Sequence, residues 1–304
     1  MTPEQHKAIE TALKDYWASR RAAKEKQQQD GLIDDTGERS TATSGVHLDS
    51  LAAHLAQVCI TAGAPADQVF YRTPQGARAA GRPRRRLSGR TAITFPGYFR
   101  PTKEWDLVVY HRERPIVAVE LKSQNGPSYS NNANNRVEEA IGSAVDLKRA
   151  CDALLIPGRP WLGYVYVIED DLTSRRRGGS TESSMYPRDS VYEHWSYVDR
   201  VRLLCTRLVA DGYYGAAWAV ATSRPDCPGT PEKPTRCPQL KSKYRDDPLP
   251  IEGLSAPDHA HEFAWYELDT TNLGHANFAA ALAEQVGAFY SPGDTVIVSE
   301  PKLF

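Results

Sequence analysis

Apolar positions recur along this chain first at helical and then at strand spacing. Over residues 47–62, Leu48, Leu51, Ala52, Leu55, Val58 and Cys59 fall on one helical stripe, the pattern of an amphipathic helix lying against a sheet. Ahead of it, Thr2 stands as an N-cap, with Pro3 at the first helical position and Gln5 where a capping box needs it. A helix is therefore predicted from there to about residue 28. Its far end, RRAAKEKQQQD, is polar on every face and has no core side of its own. Two strands follow at 105–110 and 116–122, joined by His111-Arg-Glu-Arg114. The pattern then predicts a helix over 135–151 with Ile141, Ala144, Val145 and Leu147 inward, a strand at 161–169 and a helix at 191–211. A strand at 215–222, a helix at 272–290 and a short strand at 295–298 complete the series. This order predicts an α/β fold in which a mixed β-sheet, built around the 105–122 hairpin, is flanked by helices.

Two polar stretches punctuate the order. Residues 31–45 read as a linker, so residues 1–45 are expected to form an N-terminal helical arm and linker, and 46–304 a single domain. Within that domain, residues 224–250 hold seven prolines in 27 residues, too many for regular structure, and read as an insertion.

Composition narrows the class. The chain has 304 residues, 40% hydrophobic and 25% charged, enough for a substantial core. No apolar run approaches the roughly 20 residues of a spanning helix, and there is no signal-peptide core. Five scattered cysteines, Cys59, Cys151, Cys205, Cys227 and Cys237, are expected to be reduced thiols of a cytoplasmic protein. Cys227 and Cys237 with His259 and His261 match no zinc-finger or ribbon spacing. The net charge of −1 hides a segment from Arg72 to Lys103 with nine basic residues and no acid. Such a stretch, including Arg84, Arg85, Arg86, Arg100 and Lys103, is either a solvated loop or a docking surface for a polyanion.

The hairpin carries the candidate chemistry. In an antiparallel pair opposed residues share one index sum. A turn over residues 111–114 puts the centre near 112.5, and Asp106 with Glu120 puts it at 113. The two carboxylates are thus expected to face each other, about 4.5–5.5 Å apart at Cβ if directly paired. Lys122, two residues beyond Glu120, points to the same face. A divalent cation between the acids would relieve their repulsion. Mg²⁺ suits an oxygen-rich site, with Asp106, Glu120 and the backbone carbonyl of Leu121 as protein ligands and Lys122 orienting or activating the attacking water. The alternative is a weak surface pair on an edge strand. Glu-x-Lys alone carries little, since Glu300-Pro-Lys302 repeats it without an acid opposite.

Three segments resemble the XhoI-type family of type II restriction endonucleases: GYFRPTKEWD at 97–106, AVELKSQ at 118–124, and GPSYSNNANNRVEE at 126–139. The resemblance implies a PD-(D/E)xK nuclease core with Asp106, Glu120 and Lys122 in the motif positions. It also implies Mg²⁺-dependent cleavage of double-stranded DNA at 5′-CTCGAG-3′ leaving 5′-phosphates, by a homodimer paired in the cell with a DNA methyltransferase of the same specificity. Trp105 stands where the superfamily name has proline. A helix acid completes some metal sites of that superfamily, so Asp49 is a further candidate ligand, set against helix capping. Gln124, Asn131, Asn132, Asn134, Asn135 and Arg136, just past the active strand, are candidate DNA contacts, set against N-capping and loop hydrogen bonds. A structure-specific repair nuclease would share the trio, and a DNA-binding protein without catalysis would share the basic stretch.

Overall fold

The computed structural model describes residues 1–29, 46–73, 76–79, 89–126, 129–176, 178, 182–193, 195–223 and 263–290. The predicted strand at 295–298, the proline-rich 224–250 insertion, the 31–45 linker and the Cys227, Cys237, His259 and His261 set lie outside those residues, as do Arg84, Arg85 and Arg86.

Helix α1 (Pro3–Gln29) begins with the predicted capping box: the Gln5 N–H donates to Thr2 Oγ1 at 3.2 Å and the Thr2 N–H to Gln5 Oε1 at 2.8 Å. Helix α2 (Asp49–Thr61) follows a short 3₁₀ turn. The strands are β1 (Val69–Thr73), β2 (Gly76–Ala79), β3 (Thr94–Pro96), β4 (Thr102–Glu104), β5 (Leu107–His111) and β6 (Arg114–Gln124). Then come α3 (Tyr129–Asp152), β7 (Trp161–Glu169), α4 (Leu172–Arg175), α5 (Tyr197–Ala210), β8 (Ala216–Thr222), β9 (Trp265–Glu267) and α6 (His275–Tyr290). Seven strands form one sheet in the order β2-β1-β5-β6-β7-β8-β9, and β3 with β4 forms a separate hairpin. The β6–β7 and β7–β8 pairs are parallel and the other four antiparallel, which makes the sheet mixed.

Helices cover both faces of the sheet. Val117, Val119, Val165 and Val167 pack with Leu13, Trp17, Leu51, Leu55, Phe278 and Leu282 of α1, α2 and α6. Tyr164, Tyr166, Ala217 and Ala219 pack on the other face with Ala140 and Ala144 of α3 and Val201 and Cys205 of α5. A central strand buried on both faces reads as a near-continuous apolar run, as β6 does until Glu120. Helix α1, which the sequence sets apart as an arm, lays Ile9, Leu13, Tyr16 and Trp17 into the same core.

Two helices start about six residues from the pattern-based bounds, and α6 starts at His275 rather than 272. Helix α3 starts at Tyr129 rather than 135, although asparagine is a poor helix former. The reason is tertiary: Tyr129 is buried and stacks on Tyr197 with ring centroids 5.4 Å apart, its carbonyl accepts from Gln124 Nε2 at 2.7 Å, and Ala133 is buried beneath it. Helix α5 starts at Tyr197 rather than 191, because Ser196 and Asp199 close a capping box there.

The hairpin explains why two estimates of its centre arose. Its turn is Arg112-Glu113, both left-handed at φ 50° and 67°, the backbone of a two-residue hairpin turn. Near it, His111 pairs with Arg114 and Tyr110 with Pro115. A bulge at Val109/Tyr110 then shifts the register, so that Val108 pairs with Ala118 and Leu107 with Val119. The pairing ends there, and Asp106, one residue ahead of β5, donates its N–H to the Val119 carbonyl and so lies beside the 119–121 stretch of β6.

Candidate active site

Asp106 sits at the entry to β5, where its N–H donates to the Val119 carbonyl at 3.1 Å and its carbonyl accepts from the Arg72 N–H at 2.9 Å. The carboxylate is buried. Oδ2 accepts from the Leu121 N–H at 2.8 Å and Oδ1 lies 3.4 Å from Arg72 Nη1. Burial raises its pKa most strongly and the Glu120 charge adds to this; the Leu121 N–H, Lys122 and Arg72 pull the other way, and the net shift is upward. In an extended strand the N–H and C=O of one residue point to the same edge. The Leu121 carbonyl therefore shares the side of β6 on which Asp106 lies.

Glu120 is only 1% exposed, in the fourth of seven strands. This removes the edge-strand surface-pair alternative. Its Oε1 lies 2.8 Å from Lys103 Nζ and 3.0 Å from Lys122 Nζ, and its Oε2 accepts from the Tyr214 hydroxyl at 3.2 Å. Burial alone would raise its pKa, but Lys103 and Lys122 outweigh burial and hold it at about 2. Lys122 also lies 3.4 Å from Glu139 Oε2 of α3. Burial would lower its pKa; Glu120, Glu139 and Asp106 reverse this, so it stays an ammonium.

Asp49 behaves unlike a cap. The N-cap of α2 is Leu48, and no side chain caps that end. Both Asp49 carboxylate oxygens are buried and have no hydrogen-bond partner among the described residues. Desolvation, offset in part by Arg72 and reinforced by Asp106, pushes its pKa up to about 7. A carboxyl whose pKa is higher folded than unfolded binds its proton more tightly in the folded state. Stability therefore falls as pH rises from about 4 to about 7, then levels off. Asp49→Asn is expected to raise the melting temperature at about pH 8 and to leave it near the parent's at about pH 4. A variant that melted below its parent at the higher pH would show that the carboxylate has a stabilising partner.

The candidate DNA contacts divide. Gln124 is buried, donating to the Tyr129 carbonyl and accepting from the Tyr166 hydroxyl, so it braces the start of α3 and does not face a ligand. Lys103 is turned into the site against Glu120 with its side chain 12% exposed, and is not a free surface cation. Arg100 donates through Nε to Asp146 Oδ2 at 2.9 Å while its side chain stays 40% exposed. Asn131, Asn134 and Asn135 are exposed and Asn132 half-buried in the first turns of α3, with Asn134 Oδ1 accepting from Arg200 Nη2 at 2.7 Å. Arg136 folds back, pairing with Glu139 and donating to the Ser123 carbonyl at 3.3 Å.

Sequence reasoning did not bring Arg72, Lys103 or Tyr214 to the acids. Arg72 and Lys103 were visible only as members of the basic stretch, and Tyr214 arrives from the turn before β8. Among the described residues no three His, Cys, Asp or Glu side chains are gathered as a ready ligand cluster. The acids converge, but Asp106 is engaged by Arg72 and the Leu121 N–H, and Glu120 by two lysines and the Tyr214 hydroxyl.

A family model described as "Restriction endonuclease XhoI" matches residues 26–231, more than half of the chain. The chain belongs to the XhoI restriction endonuclease family. It is 33% identical over 202 residues to the type II restriction enzyme XhoI of Xanthomonas vasicola, covering 65% of this chain and 73% of that one. It is 35% identical over 195 residues to the type II restriction enzyme AbrI of Azospirillum brasilense, covering 64% and 79%. The type II restriction enzyme BstVI of Geobacillus stearothermophilus is 34% identical over 189 residues, covering 59% and 75%. No solved structure matches. Type II restriction enzymes are site-specific deoxyribonucleases, and membership of the family makes this chain an enzyme of that class.

Proposed function

We propose that this protein is a Mg²⁺-dependent type II restriction endonuclease with a PD-(D/E)xK core that cuts both strands of DNA at 5′-CTCGAG-3′, leaving 5′-phosphates. The observation that carries the reading is the convergence of Asp106, Glu120 and Lys122 on one hairpin of a buried central strand. Asp49 adds to it. Two buried carboxylate oxygens with no hydrogen-bond partner among the described residues are costly to ionise unless something cationic binds there. Asp106, Glu120 and the Leu121 carbonyl would offer an all-oxygen donor set, with Asp49 as a further candidate, the kind that magnesium takes in preference to zinc. Type II restriction enzymes generally use divalent ions, and one held here would supply Lewis-acid stabilisation of the phosphate and acidify a water.

The chain's own residues do the rest. Lys122, held as an ammonium by Glu120 and Glu139, is the hydrogen-bond donor this site offers to the attacking water and to developing phosphate charge. Glu120, held ionised, stays an acceptor throughout the working pH range. The Leu121 N–H fixes Asp106 by donating to one oxygen, and the Tyr214 hydroxyl, shared between Glu120 Oε2 and the Ala140 carbonyl, braces Glu120, so little reorganisation is needed at the moment of reaction. The exposed asparagines of α3, with Arg100 at the β3–β4 tip, are offered as the DNA-contacting surface, together with Arg84, Arg85 and Arg86.

On this reading the protein works as a homodimer, because a palindrome is matched by two-fold protein symmetry. It acts in the cytoplasm beside a methyltransferase of the same specificity. Residues 46–304 are taken as the endonuclease domain, with helix α1 of the preceding segment packed into its core. Among the described residues no helix is long and apolar enough to cross a membrane. A plasmid carrying one CTCGAG is expected to be linearised in Mg²⁺ and left intact in EDTA. Cleavage of branched or flapped DNA without regard to that sequence would favour a repair nuclease instead.

A further inference from the structure

Two ammonium groups share one oxygen of Glu120, Lys103 Nζ at 2.8 Å and Lys122 Nζ at 3.0 Å. Like charges this close on a single acceptor repel, and a divalent ion brought to the same carboxylate would repel both. The two lysines are not equivalent. Lys122 belongs to β6 and keeps Glu139 as a second anion 3.4 Å away if Glu120 is taken. Lys103 comes from β4, a three-residue strand of the separate hairpin, and can swing without disturbing the seven-stranded sheet. Its described ion pair is to Glu120, and its ammonium lies 4.8 Å over the Trp105 ring.

We propose that Lys103 is the internal counter-ion of the metal-free site, holding at Glu120 a place that a divalent cation takes, and that a DNA phosphate is its alternative partner. The proposal rests on the metal-dependent reading given above. It predicts that metal and DNA bind cooperatively. The ion has to displace the Lys103 ammonium, and the phosphate offers that ammonium somewhere to go. By linkage each ligand then raises the affinity for the other equally. A DNA-free enzyme that holds its metal poorly would also be spared unproductive metal binding.

The test is calorimetric titration of the full chain with Ca²⁺, which is expected to support binding without cleavage, with and without a CTCGAG duplex. Lys103→Gln keeps a hydrogen bond to Glu120 but no charge, Lys103→Met keeps neither, and Lys103→Arg keeps the charge. Without DNA, the Gln and Met variants are expected to bind Ca²⁺ about tenfold tighter than the parent or better, and the Arg variant to stay within about twofold. The gain in Ca²⁺ affinity on adding duplex should shrink in the two neutral variants and persist in the parent and Lys103→Arg. Neutral variants that bind Ca²⁺ no tighter than the parent without DNA would overturn the counter-ion role, while leaving metal-dependent cleavage by the parent intact. A parent that bound no Ca²⁺ even with DNA, and was inactive in Mg²⁺, would sink the metal-dependent reading and this proposal with it.

Discussion

Glu120→Gln is expected to lower the single-turnover cleavage rate at CTCGAG by at least about a thousandfold, and Lys122→Ala by about 10²–10⁴-fold. Glu120 is the acid on which both lysines and Tyr214 converge, so its charge organises the site as well as any ion held there. Removing that charge leaves two buried ammonium groups facing a neutral amide. Gln is chosen over Ala because it retains the shape of the side chain and an oxygen for Tyr214, and a melting curve of the variant is needed beside the rate to separate folding from chemistry. Lys122→Ala removes the donor but leaves Glu120 paired with Lys103, so that variant should fold like its parent. Lys122→Ala should still bind a CTCGAG duplex in Ca²⁺ with near-parental affinity, measured by fluorescence anisotropy, whereas Glu120→Gln, which loses a proposed metal ligand, should match its parent only in duplex binding without divalent ion. Normal cutting by Glu120→Gln would show that the site assignment is wrong.

Asp146→Ala is the second large effect, and it falls on stability. Asp146 on α3 is 3% exposed and accepts from the Tyr98 N–H at 2.9 Å, the Phe99 N–H at 2.6 Å and Arg100 Nε at 2.9 Å. Burial would raise its pKa, but Arg100 and the two N–H groups outweigh it and hold the carboxylate ionised. This one side chain fixes the tip of the β3–β4 hairpin that carries Lys103 to the site. Gly97 is part of the same fit, since a Cβ there would lie 2.5 Å from the Arg100 carbonyl oxygen and 2.6 Å from Asp146 Oδ2. Leaving two N–H groups without their acceptor costs about 2–3 kcal/mol, a drop of roughly 3–5 °C in melting temperature for a chain of this length. Differential scanning calorimetry reads it directly. A loss of under about 1 °C would mean that the tip holds without Asp146.

The hairpin was legible because alternation and the index sum are arithmetic on the sequence. Both estimates of its centre, 112.5 from the turn and 113 from the acids, correspond to real registers on either side of the Val109/Tyr110 bulge. The bulge itself carries no sequence signal. Nor does Arg-Glu announce a turn with two left-handed residues, where Asn-Gly would have done so. The early start of α3 was hidden because the Asn-rich run has weak helical propensity, and what decides it is the burial of Tyr129 against α5.

Lys103 and Tyr214 were out of reach for a related reason. They lie 17 residues before and 94 residues after Glu120, and no periodicity links them to it. A lysine three positions before the hairpin acid was the nearest available hint, and the surrounding basic stretch disguised it. Asp49 shows the reverse. Its position near a helix start invites a capping assignment, and only its two oxygens, without a partner among the described residues, separate that from a ligand role.

Sequencing both strand termini of DNA digested by the purified protein in Mg²⁺ tests the central claim most directly. Every end should fall at one fixed position within CTCGAG on both strands and carry a 5′-phosphate open to ligation. Ends scattered over many sequences, or fixed within a different one, would contradict it.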